Sequence, residues 1–462
     1  MTIQTEPTLT SPALKEHSPK HYSIVLKMGA IILLGLLLLI PLSMVNSLLS
    51  ERLARRDDAV KEITSTWGNA QVIFGPVLIV PYNFIRKSFK DQIVNGLVER
   101  VEVSETAQAR AYFLPATLKI DAHLTPSLLH RGIYEAVAYS GTTKITGRFD
   151  RPAFAEFQVN PQQILWEDAE LAISITDLRG AKESMQVKLG DILIPLKPGA
   201  RLAGFAGGVY ARVKGLELQT GTIPFEMALT FNGSRSLRFV PVGANNDVQL
   251  ASAWPDPGFQ GAFLPTERRV GPDGFDAHWQ VSYYGRSYPQ QWTDTNPVMG
   301  NAVMESVFGV DLVTVVDSYR FVERSVKYGI LLIALMFTAF FLFEVMTAVR
   351  IHPFQYTLVG IALCLFYLAL LALSEVISFG PAYWTGAAAA TIMISLYSAK
   401  ALRGGRRAGV VAAGLSAVYA FMFVILRLQD YSLLIGTAGL FLVLGIVMYV
   451  TRNLDWYSRD YR

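Results

Sequence analysis

Apolar residues fill six long stretches of this chain, and their placement is lopsided. One stretch, Ile24–Val45, stands near the start. Five more crowd the end, at roughly Val326–Met346, Phe354–Leu373, Pro381–Ala399, Ala408–Leu426 and Tyr431–Val450. Each is near the ~20 residues that a helix needs to cross a hydrocarbon core. About 280 water-compatible residues lie between the first stretch and the second. The pattern predicts a membrane protein that holds a large polar domain by both of its ends.

Beyond the first stretch, Leu49, Leu53, Val60, Ile63, Thr64 and Trp67 recur at helical spacing, with Arg52, Arg55, Arg56, Asp57, Asp58, Lys61 and Glu62 between them. The anchor helix is therefore expected to continue as an amphipathic arm; a helix lying on the headgroups is the alternative. The first apolar run is too long for a signal-peptide core, and no A-x-A-like site follows it. It is expected to stay as an anchor.

From Gln71 the period changes to two. Val77–Tyr82 after a Gly75-Pro76 turn, Thr117–Leu124 and Phe275–Tyr284 read as strands. Ser140-Gly141, between Ile133–Tyr139 and Thr142–Phe149, reads as a hairpin turn. So does Asn232-Gly233, between Phe225–Phe231 and Ser236–Val240. Closely spaced Pro and Gly favour antiparallel sheets over βαβ units. The expected fold is a membrane protein with one N-terminal and five C-terminal transmembrane helices. A mainly antiparallel-β (α+β) domain of one or two sandwich-like layers is inserted between the first and second. The divisions are a tail over 1–23, an anchor over 24–45, the β-rich domain with its arm over 46–325, a five-helix bundle over 326–450 and a tail over 451–462.

Charge then orients the chain. Arg350 and His352 follow the second apolar stretch; Lys400, Arg403, Arg406 and Arg407 follow the fourth; Arg452, Arg459 and Arg462 follow the sixth. The alternate connections are poor in cations: Ser374–Gly380 holds Glu375 and no cation, and Arg427–Asp430 holds one Arg and one Asp. By the positive-inside bias both termini are cytoplasmic and the large domain is outside. A net charge of +4 gives no case for nucleic acid as a partner. The lone cysteine, Cys364, rules out an intrachain disulfide and a cysteine zinc site, and it reads as a small buried side chain.

Several short blocks recur in an order that marks a family. They include Trp67-Gly68 with Gln71, Gly75-Pro76 and Val80-Pro81-Tyr82; Gly132-Ile133-Tyr134-Glu135 with Gly147-Arg148-Phe149-Asp150; and Asp177-Leu178-Arg179-Gly180. Phe239-Val240-Pro241-Val242-Gly243, Trp254-Pro255 and Phe263-Leu264-Pro265 follow. Arg324–Tyr328, Phe340–Glu344, Arg350–Tyr356, Leu365–Leu368 and Ser374-Glu375 close the set. Together the chain resembles the CreD family of bacterial inner-membrane proteins, from about Trp67 to Trp456. The resemblance implies envelope maintenance within a two-component regulon that responds to peptidoglycan stress and β-lactams, and tolerance to some colicins. It implies no established catalytic activity. In a bacterial inner membrane, the outer side that the charges assign to the large domain is the periplasm. One position departs: Val376 stands where the family pattern leads us to expect a His after Ser-Glu.

Candidate chemistry is sparse. His123, His130 and His278 fall in different elements without metal-ligand spacing, and no nucleophile elbow, P-loop or dinucleotide fingerprint is present. No cofactor, metal or catalytic residue is assigned. Asp177 before Leu178-Arg179-Gly180 reads as a turn organiser, and Ser234 as part of a hairpin turn. Trp254, Phe259 and Phe263 belong to an aromatic, proline-rich loop that reads either as a binding lip or as a packed cover on the core.

Charges near a bilayer are expensive and so informative. Glu344, near the inner end of the second crossing, can meet His352 across the turn, with Arg350 to neutralise it and Gln355 beside it. That group reads as a structural network or as a proton-coupled or ligand-gated site. Glu375 sits at an outer turn, Arg427 and Asp430 bracket another, and Lys27 can snorkel to headgroups. Lys400, Arg403, Arg406 and Arg407 are anionic-lipid contacts. Three functions are weighed: a non-enzymatic envelope protein, whose partners are membrane lipids and an envelope protein or a lipid or peptidoglycan component; a transporter or lipid-handling protein; and a membrane enzyme. The first is favoured, because central charges are scarce in the crossings and no convergent carboxylate or His site stands out in the domain.

Overall fold

The computed structural model describes residues 24–94, 97–181, 184–202, 204–218, 221–298, 300–313, 318–347, 351–401, 405–428 and 431–452. The chain forms two compact units: Met1–Leu53 with Asp317–Arg462, and Ala54–Val316. The borders fall inside helical or helix-flanking sequence rather than at 46 and 325. The arm therefore divides between the units, and the amphipathic Ser318–Lys327 helix joins the membrane unit.

In the membrane unit, α1 (Ile24–Leu37) and α2 (Leu39–Trp67) form nearly one helix, which runs on past Leu53 into the second unit. The break at Leu38 has a local cause. Pro41 has no N–H to give to the carbonyl of Leu37, so the helical ladder is interrupted there. After the β-rich segment, which includes the short α3 (Gly300–Glu305), come α4 (Ser318–Lys327), α5 (Gly329–Thr347), α6 (Pro353–Ser374), α7 (Phe379–Ala401), α8 (Gly405–Arg427) and α9 (Ser432–Thr451).

Among the described residues, four stretches are long and apolar enough to cross a membrane: Lys27–Trp67, Pro353–Ser374, Gly405–Arg427 and Ser432–Thr451. Tyr319–Lys327 with Gly329–Glu344, bent by 45°, makes a fifth. The sequence reading has six. The difference is α7, which has the length at 23 residues but is lowered in hydropathy by Gly380, Pro381, Thr385, Gly386, Thr391, Ser395 and Ser398 and by the polar-edged rings of Tyr383, Trp384 and Tyr397. The interior of this unit is aromatic. Phe366 lies 4.9 Å from Tyr367, 5.4 Å from Tyr383 and 4.8 Å from Tyr419, ring centre to ring centre.

The second unit is a pair of sheets. One carries β1 (Gln71–Val94), β2 (Leu97–Phe113), β5 (Glu170–Ile175), β8 (Lys197–Pro198), β9 (Val209–Arg212), β11 (Ser236–Phe239), β13 (Pro257–Gly261), β16 (Gln291–Thr293) and β17 (Phe308–Leu312). Its order is β13-β17-β11-β1-β5-β9-β8, with β2 on β1 and β16 on β2. The other is ordered β14-β15-β12-β3-β4-β10-β6-β7. Its strands are β3 (Thr117–Arg131), β4 (Tyr134–Phe149), β6 (Gln186–Leu189), β7 (Ile192–Pro195), β10 (Ile223–Ser234), β12 (Asn245–Ser252), β14 (Glu267–Gly271) and β15 (Gly274–Ser282). Pairing is antiparallel except for β1 with β11 and β3 with β12. The alternation of Leu118, Ile120, Ala122 and Leu124 puts all four inward, at 0–1% exposure. Both sheets share one core: Trp279 of β15 is fully buried, with Phe259 of β13 at 5.9 Å and Phe308 of β17 at 5.7 Å.

Three turn signals prove to be mid-strand. Ser140-Gly141 lies inside β4, because Gly141 faces the Phe231 ring, 3.0 Å from where a Cβ would stand. Asn232-Gly233 lies inside β10, and the chain bends only at Arg235, whose φ is 65°. β10 and β11 then belong to different sheets, so no hairpin forms and Ser234 is a buried strand residue. Gly75-Pro76 sits in β1, at a register shift against β5.

Candidate functional site

Three polar groupings carry the candidate chemistry, two in the membrane unit and one in the β-rich unit. At one end of α6, Lys27 of α1 forms an ion pair with Glu344 of α5. The Lys27 ammonium also donates to the carbonyl of Ile351 at 2.9 Å. The other partners of Glu344 are the N–H of Ile351 at 3.1 Å and the Tyr356 hydroxyl at 3.0 Å. The carboxylate thus has a cation, an amide and a phenol, with its side chain 11% exposed.

His352 is not part of that set. It is the N-cap of α6: its Nδ1 accepts from the Phe354 N–H at 3.2 Å, while its own N–H donates to Gln355 Oε1 at 3.0 Å. This reciprocal capping box, with Pro353 at the first helical position, starts the helix. Glu344, His352 and Gln355 are therefore gathered at one turn, as the sequence suggests, but in separate jobs. Arg350 and Arg403 lie outside the described residues, as do Asp430, Arg459, Arg462 and the 1–23 tail. Among the described residues the cation paired with Glu344 is Lys27, which turns to the carboxylate instead of snorkelling. The sequence carries the signal: Lys27 is the only charged residue of Ile24–Val45, and Glu344 is the only acid of Val326–Met346.

At the other end of α6, Glu375 is 17% exposed and meets two groups. Arg52 Nε of α2 stands 3.5 Å away, and the Tyr319 hydroxyl of α4 donates over 3.4 Å. Glu375 is thus partnered rather than water-facing. The two charge groups place the start of α1, the end of α5 and the start of α6 at one face of the unit. They place Arg52, Tyr319 and Glu375 at the other. Val376 is 83% exposed. Lys400 is exposed in the last turn of α7; Arg406, exposed, and Arg407, half-buried, open α8. Arg427 lies over the Phe423 ring at 5.3 Å.

The third grouping is where α2 ends on the sheets. Trp67 Nε1 donates to the carbonyl of Tyr139 at 3.2 Å. Asp177, 7% exposed, accepts from the Asn69 N–H at 3.1 Å and from Asn69 Nδ2 at 3.0 Å. It also accepts from the Arg179 N–H at 3.0 Å and from Arg179 Nη2 at 2.8 Å. Arg179 reaches on to the carbonyl of Ser65 on the helix. Gln71 Nε2 donates to the carbonyls of Asp177 and Asn232, both at 2.8 Å, and Gln71 Oε1 accepts from the Asp177 N–H at 3.1 Å. Burial acts to raise the Asp177 carboxyl, but the Arg179 side chain and the N–H groups of Arg179 and Asn69 outweigh it and bring it down to about 2. Asp177 organises its turn as expected; the tie between a helix and two sheets was not visible from its local spacing.

The aromatic loop is not an open lip. Pro257–Gly261 is an edge strand, β13, and its rings turn inward. Phe259 packs on Phe275 and Trp279, both at 5.9 Å, and Phe263 packs on Phe308 at 5.9 Å. Trp254 Nε1 donates to the carbonyl of Val313 at 3.0 Å. Packing these rings on the core takes their apolar surface out of water, which favours the packed arrangement. Leu264, at 67%, is the large apolar side chain of the stretch that stays outside. Among the described residues no group of three or more His, Cys, Asp or Glu is arranged to hold a metal ion.

Comparison with known proteins agrees with the architecture. Two structures of yeast LTA4 hydrolase, one in complex with bestatin and one native, are 9% identical. They cover 35% and 48% of this chain, and 26% and 35% of theirs, with TM-scores of 0.18 and 0.19, too low to bear on its fold. Inner membrane protein CreD of Escherichia coli (strain K12) is 32% identical over 441 residues, 96% of this chain and 94% of that protein. The sequence model of the CreD family, described as inner membrane protein CreD, matches residues 23–457. The chain therefore belongs to the CreD family of inner membrane proteins.

Proposed function

We propose that this protein maintains the cell envelope without catalysing a reaction. In this reading the β-rich unit is a periplasmic binding module and the membrane unit is its fixed mount, with six crossings and both termini cytoplasmic. One observation carries the reading: the N-terminal helix is clipped to the bundle at both ends, by Lys27 to Glu344 and by Arg52 to Glu375. Arg52 and Tyr319 stand beside the two points where the chain leaves the membrane unit and returns to it, and both bond to Glu375. The partners that fit are membrane lipids, through Lys400, Arg406 and Arg407, and an envelope protein or a lipid or peptidoglycan component at the module.

Its test is survival under β-lactam and colicin stress in cells carrying Glu344→Gln, His352→Ala or Glu375→Gln, scored against the amount of folded protein in the membrane. A mount predicts that survival follows abundance. A variant that is fully abundant and folded yet inactive sinks the reading in favour of transport or lipid handling.

That second reading has an observation of its own. A groove of about 600 Å³ runs between α2 and α6, lined by Pro41, Met44, Leu48, Cys364, Leu365 and Leu368 among others. It is apolar enough for an acyl chain. Bulky substitution there, Leu365→Trp, leaves stress survival intact if the membrane unit is only a mount and abolishes it if the groove handles lipid.

A further inference from the structure

The β1–β2 ribbon outruns its sheet. β1 has a neighbour on its other side only to Tyr82, through β5, the Tyr82–Ile164 bridge and the Leu165 N–H on the carbonyl of Pro81. β2 is covered by β16 over Ala111–Phe113 and by Asp294 at Arg110. Beyond that, Asn83–Val94 and Leu97–Gln108 pair only with each other among the described strands. The ribbon extends about 40 Å at ~3.3 Å per residue. A lone two-stranded hairpin is marginal in water, and unpaired edges invite another strand. Ile85 and Phe89, on one face, are 62% and 61% exposed. Charges cancel across the ribbon, Lys87 with Glu102 at 2.8 Å and Arg86 with Glu105 at 3.8 Å.

The β2 edge has a defined polarity and length. The Arg110 N–H donates outward to the Asp294 carboxylate at 3.1 Å, and its carbonyl accepts from the Asp294 N–H at 3.0 Å. By strand alternation the backbone groups of Gln108, Thr106, Ser104 and Glu102 point off the same edge, where no described strand lies. The open edge runs from Leu97 to Ala109, and its midpoint is Val103.

We propose that this edge pairs antiparallel with the same edge of a second copy of this chain, about a two-fold axis at Val103. Length and charge select this register. It uses the whole open edge and sets Glu102 opposite Ser104 and Arg100 opposite Thr106, with no like charges directly opposed. A centre at Glu102 would oppose two carboxylates. A centre at Ser104 would drive the end of the second ribbon into Asp294 and Thr293. Self-pairing of one edge is the isologous geometry of two-fold dimers. Anchoring in one membrane holds copies in a common orientation, which raises their effective concentration.

The register makes the test residue-specific. Cys364 is the chain's one cysteine, so Cys364→Ala gives a thiol-free full-length protein. Val103 would face its own copy as a non-hydrogen-bonded pair, with Cα atoms about 4.5 Å apart, within reach of a disulfide. Val103→Cys, oxidised mildly with copper phenanthroline in membranes, is expected to run mostly as a reducible dimer. Ala107→Cys is expected to give little, because its copy stands about 26 Å away. Glu102→Cys and Ser104→Cys, co-expressed with different tags, are expected to crosslink to each other. Equal crosslinking at 103 and 107 overturns the proposal. So does no crosslinking at 103 or in the mixed pair while the thiols react with maleimide, and so does a product whose mass is not twice the chain's.

Discussion

Lys27 and Glu344 stand 317 positions apart in the chain and form one ion pair at the end of α6. Their side chains are 22% and 11% exposed. Removing one partner strands the other charge among apolar helices, at a cost of about 3 kcal/mol. Removing both costs less, because no uncompensated charge remains. Lys27→Met and Glu344→Leu are each expected to lower the thermal midpoint of the detergent-solubilised protein and its abundance. The double variant is expected to recover part of the loss. A double variant that loses the sum of the two singles would show that the charges act independently.

The clip at the other end of α6 is a weaker contact. Arg52 is 35% exposed and its nitrogen is 3.5 Å from Glu375. Ion pairs this open are worth about 0–1 kcal/mol. Arg52→Gln and Glu375→Gln are expected to shift the thermal midpoint by only a degree or two. A drop as large as that of Lys27→Met would mean that the Arg52 clip fixes the helix as firmly as the Lys27 one.

Asp177 gives the β-rich unit a definite acid sensitivity. Its carboxyl titrates at about 2, below the ordinary 3.8. A depressed carboxylate stabilises the folded state fully above its unfolded pKa and ceases to as pH falls through the folded one. The contribution is thus complete above about pH 4 and fades toward pH 2. Asp177→Asn keeps the shape but loses the charge-assisted bonds to Arg179 and Asn69, at about 2 kcal/mol near neutrality. Thermal unfolding of the β signal by far-UV circular dichroism is expected to separate the two proteins at pH 7 and bring them together as pH approaches 2. A gap that stays constant over that range would assign the loss to shape and not to charge.

Much of the architecture was legible because it rests on period. Runs such as Ile24–Val45 and the alternation of Leu118, Ile120, Ala122 and Leu124 carry their own geometry, and the structure follows them. Dipeptides misled for one physical reason. Ser140-Gly141 and Asn232-Gly233 look like turns, yet each glycine is there because an aromatic ring from the next strand occupies the place of its side chain. The membrane charges were legible as singletons and not as pairs. Nothing within 300 residues of Lys27 names Glu344, because the contact is made by helix packing. The hub at Asp177 was hidden in the same way: Asn69 and Gln71 come from one distant segment and Asn232 from another.

Gly233 gives the sharpest packing prediction. It pairs with Tyr139 across β10 and β4, and a Cβ at 233 would stand 2.4 Å from the ring of Tyr139. That ring cannot step aside, because it is fully buried and its hydroxyl donates to the carbonyl of Ser236 at 2.7 Å. The carbonyl of Tyr139 also receives Trp67 Nε1, so a forced shift would reach the end of α2. Gly233→Ala is expected to cost about 3 kcal/mol, the upper range for overpacking. Tyr139→Phe gives up one buried hydrogen bond and is expected to cost about 1.5 kcal/mol. Gly221→Ala, where a Cβ meets nothing within 4 Å, is expected to change stability by less than about 0.5 kcal/mol. In Tyr139→Phe the clash at 233 remains, since the ring stays, so adding Gly233→Ala should cost nearly as much as in the parent. In Tyr139→Ala the ring is gone and Gly233→Ala should become almost neutral. A full penalty in that background would place the obstruction in the backbone instead of in Tyr139.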